Sequence, residues 1–77
     1  MSWQVRWSNV CDNDVRRMHW RLATRICAAV LKYAETGRGT IERESGGYRI
    51  RVNGAVALAH LDVTTRTIDV RRIFAVR

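Results

Sequence analysis

At Gly39 the hydrophobic period of this chain changes from the helical three-to-four to the two of a strand. That switch restricts the fold more than any other feature. A front half with one apolar helical stripe can bury it only against a sheet supplied by the back half. In the front half Cys11, Val15, Met18 and Leu22 recur at helical spacing, and Leu22, Ile26, Ala29, Val30 and Tyr33 continue the series. The spacing predicts helix from about residue 9 to residue 36. Ser8 or Asn9 can cap its start, with Asp12 and Asp14 near the positive end of the dipole. The stretch "RMHWR" around His19 admits a tight bend, so either one helix or an antiparallel pair fits. Gly37 in "TGRG" suits the C-cap.

Strand signals surround this segment. "WQVRW" sets Trp3, Val5 and Trp7 on one face and Gln4 and Arg6 on the other. After Gly39, residues 40–44 form a short strand and "GYRIRV" a second. "NG" at 53–54 makes a hairpin turn into a strand over 55–63, and "TTR" turns into "TIDVRRIFAV". The expected class is α+β, with an N-terminal strand, the helical segment, and four further strands in a mainly antiparallel sheet. No linker or repeat interrupts residues 1–77, which read as one domain. A chain this short buries a modest core, so a stabilising partner or self-association is in keeping with its size.

Hydrophobic residues make up 47% and charged residues 27%, which excludes a disordered polyelectrolyte. The formal charge is +7, and of the fourteen basic residues all but Lys32 are arginine. Such a balance favours nucleic acid, an acidic protein segment or an anionic surface, without choosing among them. The arginine fork suits phosphate and carboxylate alike. No apolar run approaches transmembrane length and the start lacks a signal-peptide pattern, so a cytoplasmic location away from membranes is expected. Cys11 and Cys27 have no metal spacing and lie on or beside the apolar stripe, as core thiols do. No metal or cofactor is expected.

His60 lies within a strand with Asp62 two residues on and facing the same way, either as a base with its orienter or as structural residues. Arg49 and Arg51 share one face of "GYRIRV". If the 47–52 and 67–74 strands flank the 56–63 strand, a groove edge collects Arg49, Arg51 and either Arg71 or Arg77, with Arg72 facing away. Such arginines can anchor phosphates. Equally, they can be a solvated face that protects the sheet against edge pairing. Tyr48, Trp20 and Tyr33 are expected to cover the core.

Taken together, "WQVRWS", "DVRRMHWRLATRI", "ETGRGTIERESGGYRIRVNG" and "TRTIDVRRI", in this order and spacing, resemble the RelE/ParE superfamily of toxins from bacterial type II toxin–antitoxin systems. The resemblance covers nearly the whole chain. It implies an opening strand, a helical hairpin and a curved antiparallel sheet. It also implies a cognate antitoxin, acidic or amphipathic and encoded nearby. RelE-like members cleave messenger RNA in the ribosomal A site by activating the ribose 2′-hydroxyl; ParE-like members poison DNA gyrase. The core motif of tyrosine, basic, apolar, basic falls on Tyr48, Arg49, Ile50 and Arg51. The resemblance therefore implies phosphate contacts from Arg49 and Arg51; Arg43 and Arg71 are expected as further nucleic-acid contacts beside them. Catalytic roles fall to Arg49, Arg51 and Arg77, with His60 available as base. Two positions depart from the family. Its aromatic–arginine pair after the hairpin is Ala55–Val56 here, and its terminal glycine–basic–arginine run is Phe74, Ala75, Val76, so Arg77 substitutes only in a register slipped by one. A member that binds its antitoxin or nucleic acid without catalysis is the third possibility.

Overall fold

In the computed structural model, which describes residues 2–76, the expected elements are present in the expected order. They are β1 (Gln4–Trp7), α1 (Asn9–Arg17), α2 (Trp20–Thr36), β2 (Thr40–Glu44), β3 (Gly47–Val52), β4 (Ala55–Asp62) and β5 (Thr67–Ala75). The sheet order is β1-β5-β4-β3-β2. β1 runs parallel to β5, and every other pairing is antiparallel.

The helical segment is two helices. Ser8 caps α1 by accepting from the Cys11 amide, and Met18, with ψ 156°, ends it in extended backbone. His19 starts α2 as its N-cap, its Nδ1 accepting from the Arg21 amide at 3.2 Å. Gly37 ends α2 in the left-handed region at φ 71°, where a residue without a β-carbon is unstrained. Trp20 departs from expectation: as the first residue of α2, it points outward and stays 67% exposed. His19 stacks beside it, and the Arg21 guanidinium lies 5.3 Å from its ring centroid.

The core lies between α2 and one face of the sheet. Ile26 and Val30 are fully buried, with Ala23 and Ala34 above and below them. Opposite them are Ile50, Ala55, Ala57, Ala59, Ile68, Val70 and Ile73. The alanines of β4 form a low floor that lets α2 lie close, while the branched residues of its neighbours fill the sides. Cys11 joins this core and Cys27 packs at its margin; neither is bonded to the other. Burial pushes the Cys11 thiol up to about 11, with Cys27, Asp12 and Asp14 adding to the effect, so it is protonated and unreactive at neutral pH.

α1 solves an edge problem. β1 pairs with β5 only as far as Val70, so beyond that residue β5 is paired with β4 on one side and has no strand on the other. Ser8 and Asp14 take over there. The Ser8 hydroxyl donates to the Arg71 carbonyl at 3.0 Å, and Asp14 accepts from the Ile73 amide at 3.0 Å. Asp14 also receives the Arg72 fork at 2.9 and 3.3 Å. Side chains of a helix thus satisfy backbone groups that a fifth pairing would otherwise bond.

The bonds from Arg72 and Ile73 hold the Asp14 carboxyl below its usual 3.8. A depressed carboxyl contributes stability that is complete above the unfolded value and lost as pH falls through the folded one. Asp14→Asn is therefore expected to flatten the acid limb of the stability–pH curve measured by chemical denaturation. Asp14→Ala should cost about 1–3 kcal/mol at neutral pH, because the Ile73 amide loses its acceptor. An unchanged acid limb in Asp14→Asn would show that the staple is not a determinant of stability.

Candidate nucleic-acid interface

Side chains alternate along each strand, so burying Ile50, Ala57 and Ile73 under α2 commits their neighbours to the other face. The register gives that face its rows. Thr40, Arg51, Val56 and Phe74 form one, and Glu42, Arg49, Leu58 and Arg72 the next. His60 lies one row further, opposite Asp69. No helix covers these rows, and Arg49, Arg51 and His60 are brought to one surface. β3 and β5 do flank β4, as the sequence reading required.

Neither arginine on β3 is unpartnered. Arg49 Nη2 donates to Glu44 Oε1 at 2.5 Å, and Arg51 Nη1 donates to Glu42 Oε1 at 2.6 Å. Each pair is a diagonal across the β2–β3 ladder, partly open to solvent. Each arginine also uses a single nitrogen on its carboxylate, although its fork is built for two. The remaining Nε of Arg49 is buried and has no partner. The sequence placed acids and arginines on these strands, but only the register shows that they meet.

Beside Arg49 lies a groove of about 420 Å³, lined among others by Glu44, Gly47, Leu58, His60 and Arg71. Two local features make it. Gly47 has no side chain, and a β-carbon there would sit 2.7 Å from the Ala59 carbonyl oxygen. A bulge lies where Leu58 opposes Arg72 while Ala59 opposes Val70, leaving Arg71 as the extra residue. Bulges re-aim a side chain; here Arg71 lines the same groove as His60, only loosely held by Asp69 at 4.0 Å. A second open groove, about 470 Å³, borders Arg51, Gly54 and Val76.

The other candidates are placed elsewhere. Arg43 opposes Tyr48, in the row that continues through Ala59 and Val70, and so belongs to the helix-covered side, away from Arg49 and Arg51. Arg72, expected to face away, instead shares the row of Arg49 and Leu58 because of the bulge, but is committed to Asp14. Asp62 does not orient His60: its Oδ1 accepts from the Thr64 and Thr65 amides at 3.0 and 3.3 Å, shaping the turn before β5. Arg77 lies outside the described residues. Val56, where the family pattern has arginine, is buried at 3%. Among the described residues no cluster of histidine, cysteine and acids could hold a metal, and no helix is long and apolar enough to cross a membrane.

The helical hairpin carries a different surface. A shallow groove of about 640 Å³ is lined by Val15, Arg16, Met18, Trp20, Cys27 and Leu31, among others. Trp20 and Leu31 are its most exposed apolar members.

No protein-family model matches the sequence, and no curated protein does. The structure, however, superposes on a chain from the crystal structure of the RelBE2 toxin–antitoxin complex of Mycobacterium tuberculosis with a TM-score of 0.81. The match covers 99% of this chain and 93% of that one, at 17% sequence identity. The chain thus has the RelE/ParE-like fold: an opening strand, two helices in a hairpin, and a sheet to which four further strands contribute.

Gly47→Ala should separate β3 from β4 locally and lower stability by about 1–3 kcal/mol. The measurement is the urea midpoint, with its slope unchanged. A wild-type midpoint would mean that the strand pair yields to a methyl group at this position.

Proposed function

We propose that this chain is the toxin of a type II toxin–antitoxin module and arrests growth in the cytoplasm by cutting messenger RNA on the ribosome. One observation carries the reading: on a fold shared with a chain of a toxin–antitoxin complex, the helix-free sheet face joins Arg49 and Arg51 to a groove lined by His60 and Arg71. Arginine cannot act as a base, whereas imidazole can take up a proton near neutrality. In the proposed reaction His60 accepts the proton of a ribose 2′-hydroxyl, and that oxygen attacks the adjacent phosphorus. The bond to the 5′-oxygen breaks, and the leaving oxygen takes a proton back from the imidazolium. The products are a 2′,3′-cyclic phosphate and a 5′-hydroxyl end. Arg71 and Arg49 are the cations available to the charge that grows on the phosphate oxygens. An acidic antitoxin encoded nearby would oppose the +7 charge of the chain.

The apolar groove on the hairpin, with Trp20 67% exposed, favours a second reading. In it the chain acts as ParE-like proteins do, by binding DNA gyrase, and its β3 arginines remain with their glutamates.

Purified ribosomes programmed with a defined message, followed by 5′-end mapping, separate the two. The first reading expects new 5′-hydroxyl ends, reduced about 10²–10⁴-fold by His60→Ala and lost in Arg49→Ala/Arg51→Ala. Intact transcripts together with gyrase trapped on DNA would replace it with the second. Cleavage that survives all three substitutions would remove this face from the chemistry.

A further inference from the structure

Glu42 and Glu44 have no part in the reaction proposed above, yet they hold both arginines of the face. Three details set these pairs apart from ordinary surface ion pairs. Each carboxylate grips its arginine through one bond where two are available. The Arg49 Nε is shielded and unsatisfied, which leaves a donor beside the Glu44 contact that a second acceptor oxygen would satisfy. The two pairs also lie side by side. Their arginines are two residues apart on β3, with Cα atoms separated by roughly 6.5–7 Å.

We infer that Glu42 and Glu44 are resident acidic occupants of the Arg49 and Arg51 forks, which an incoming nucleic acid must displace. The inference rests on the RNA-binding reading of this face and adds to it the determinant of what is bound. A phosphate that engages Nε and Nη2 of Arg49 together replaces one bond with two and satisfies the orphaned nitrogen. An isolated phosphate does this once, and leaves the Arg51–Glu42 pair closed. A single strand that presents successive phosphates along β3 opens both pairs in one binding event. The glutamates therefore select an extended, multiply charged RNA strand over mononucleotides and inorganic phosphate. The displaced carboxylates stay tethered to β2, at the exposed edge of the sheet, ready to return when the strand leaves.

The test is fluorescence anisotropy of a labelled single-stranded RNA oligonucleotide, with folding of each variant checked by circular dichroism. Four proteins are needed: the unaltered chain, Glu42→Gln/Glu44→Gln, Arg49→Ala/Arg51→Ala, and the combination of all four changes. With the arginines present, the glutamine changes should tighten RNA binding by about tenfold. They should also steepen its salt dependence and make it sensitive to competition by inorganic phosphate. Without the arginines the same changes should have little effect. Equal tightening in both backgrounds would reduce the effect to net charge and overturn the inference. Unchanged affinity in the glutamine variant would overturn it too; if the arginine variant still lost RNA binding, the RNA reading of the face would stand. RNA binding by none of the four would remove both.

Discussion

Burial of α2 against the alanine floor of β4 decides what the opposite side of the sheet can be. Ile26 and Val30 reach full burial only because Ala55, Ala57 and Ala59 let the helix approach. With that face committed, the pleat leaves β3 no choice. Ile50 points at the helix, so Arg49 and Arg51 point away from it. A one-residue slip would bury two guanidinium groups in an apolar layer and expose Ile50, at a cost no surface interaction could offset. The face that carries Arg49 and Arg51 is thus held in register by packing on the opposite side of the sheet.

This explains which parts were legible in the sequence. The period-two alternation of "GYRIRV" depends on local geometry alone, so it correctly placed Arg49 and Arg51 together. The "NG" turn and the order of the strands put β4 between β3 and β5. What stayed hidden depends on contacts distant in sequence or on breaks in a regular pattern. Asp14 reads as a helix N-terminal acid, yet its partners lie 58 and 59 residues away. The bulge that brings Arg71 beside His60 has no marker in "TIDVRRIF", because an extra residue is defined by the partner strand. Trp20 fitted the apolar stripe by type. It failed by position, since the capping of α2 by His19 starts a new helical phase in which the first residue faces water. His60 and Asp62 share a face as expected, but the turn claimed the carboxylate first.

The ion pairs between β2 and β3 carry a lesson about basic composition. A charge of +7 invites a polyanion, but charge counted over a chain says little about charge available at a face. Cross-strand glutamates neutralise the two best-placed arginines, and Asp14 engages a third, Arg72, on β5. Solvent-exposed pairs of this kind stabilise a sheet weakly, by well under about 1 kcal/mol each. That weakness is compatible with function. A strong, fully bonded pair would close the face permanently, whereas a single-bond pair open to water exchanges readily with a better acceptor.

Catalysis makes a separate demand that the arginines cannot meet. Cleaving a phosphodiester through its 2′-hydroxyl requires a group that takes a proton and another that tolerates charge growing on oxygen. Guanidinium serves the second need at any working pH and never the first. The family pattern's arginine after the hairpin is replaced by Val56, whose burial leaves no cation in that row except Arg51. In the reaction proposed above, the chemistry therefore lies along β4 toward the other end of the face. There the missing side chain of Gly47 opens a groove, and the bulge supplies Arg71 next to the imidazole of His60. Arg49 borders that end and Arg51 the other, so the two residues of one motif would have diverged in task. Arg49 would attend the reacting phosphate, while Arg51 would hold the strand that carries it.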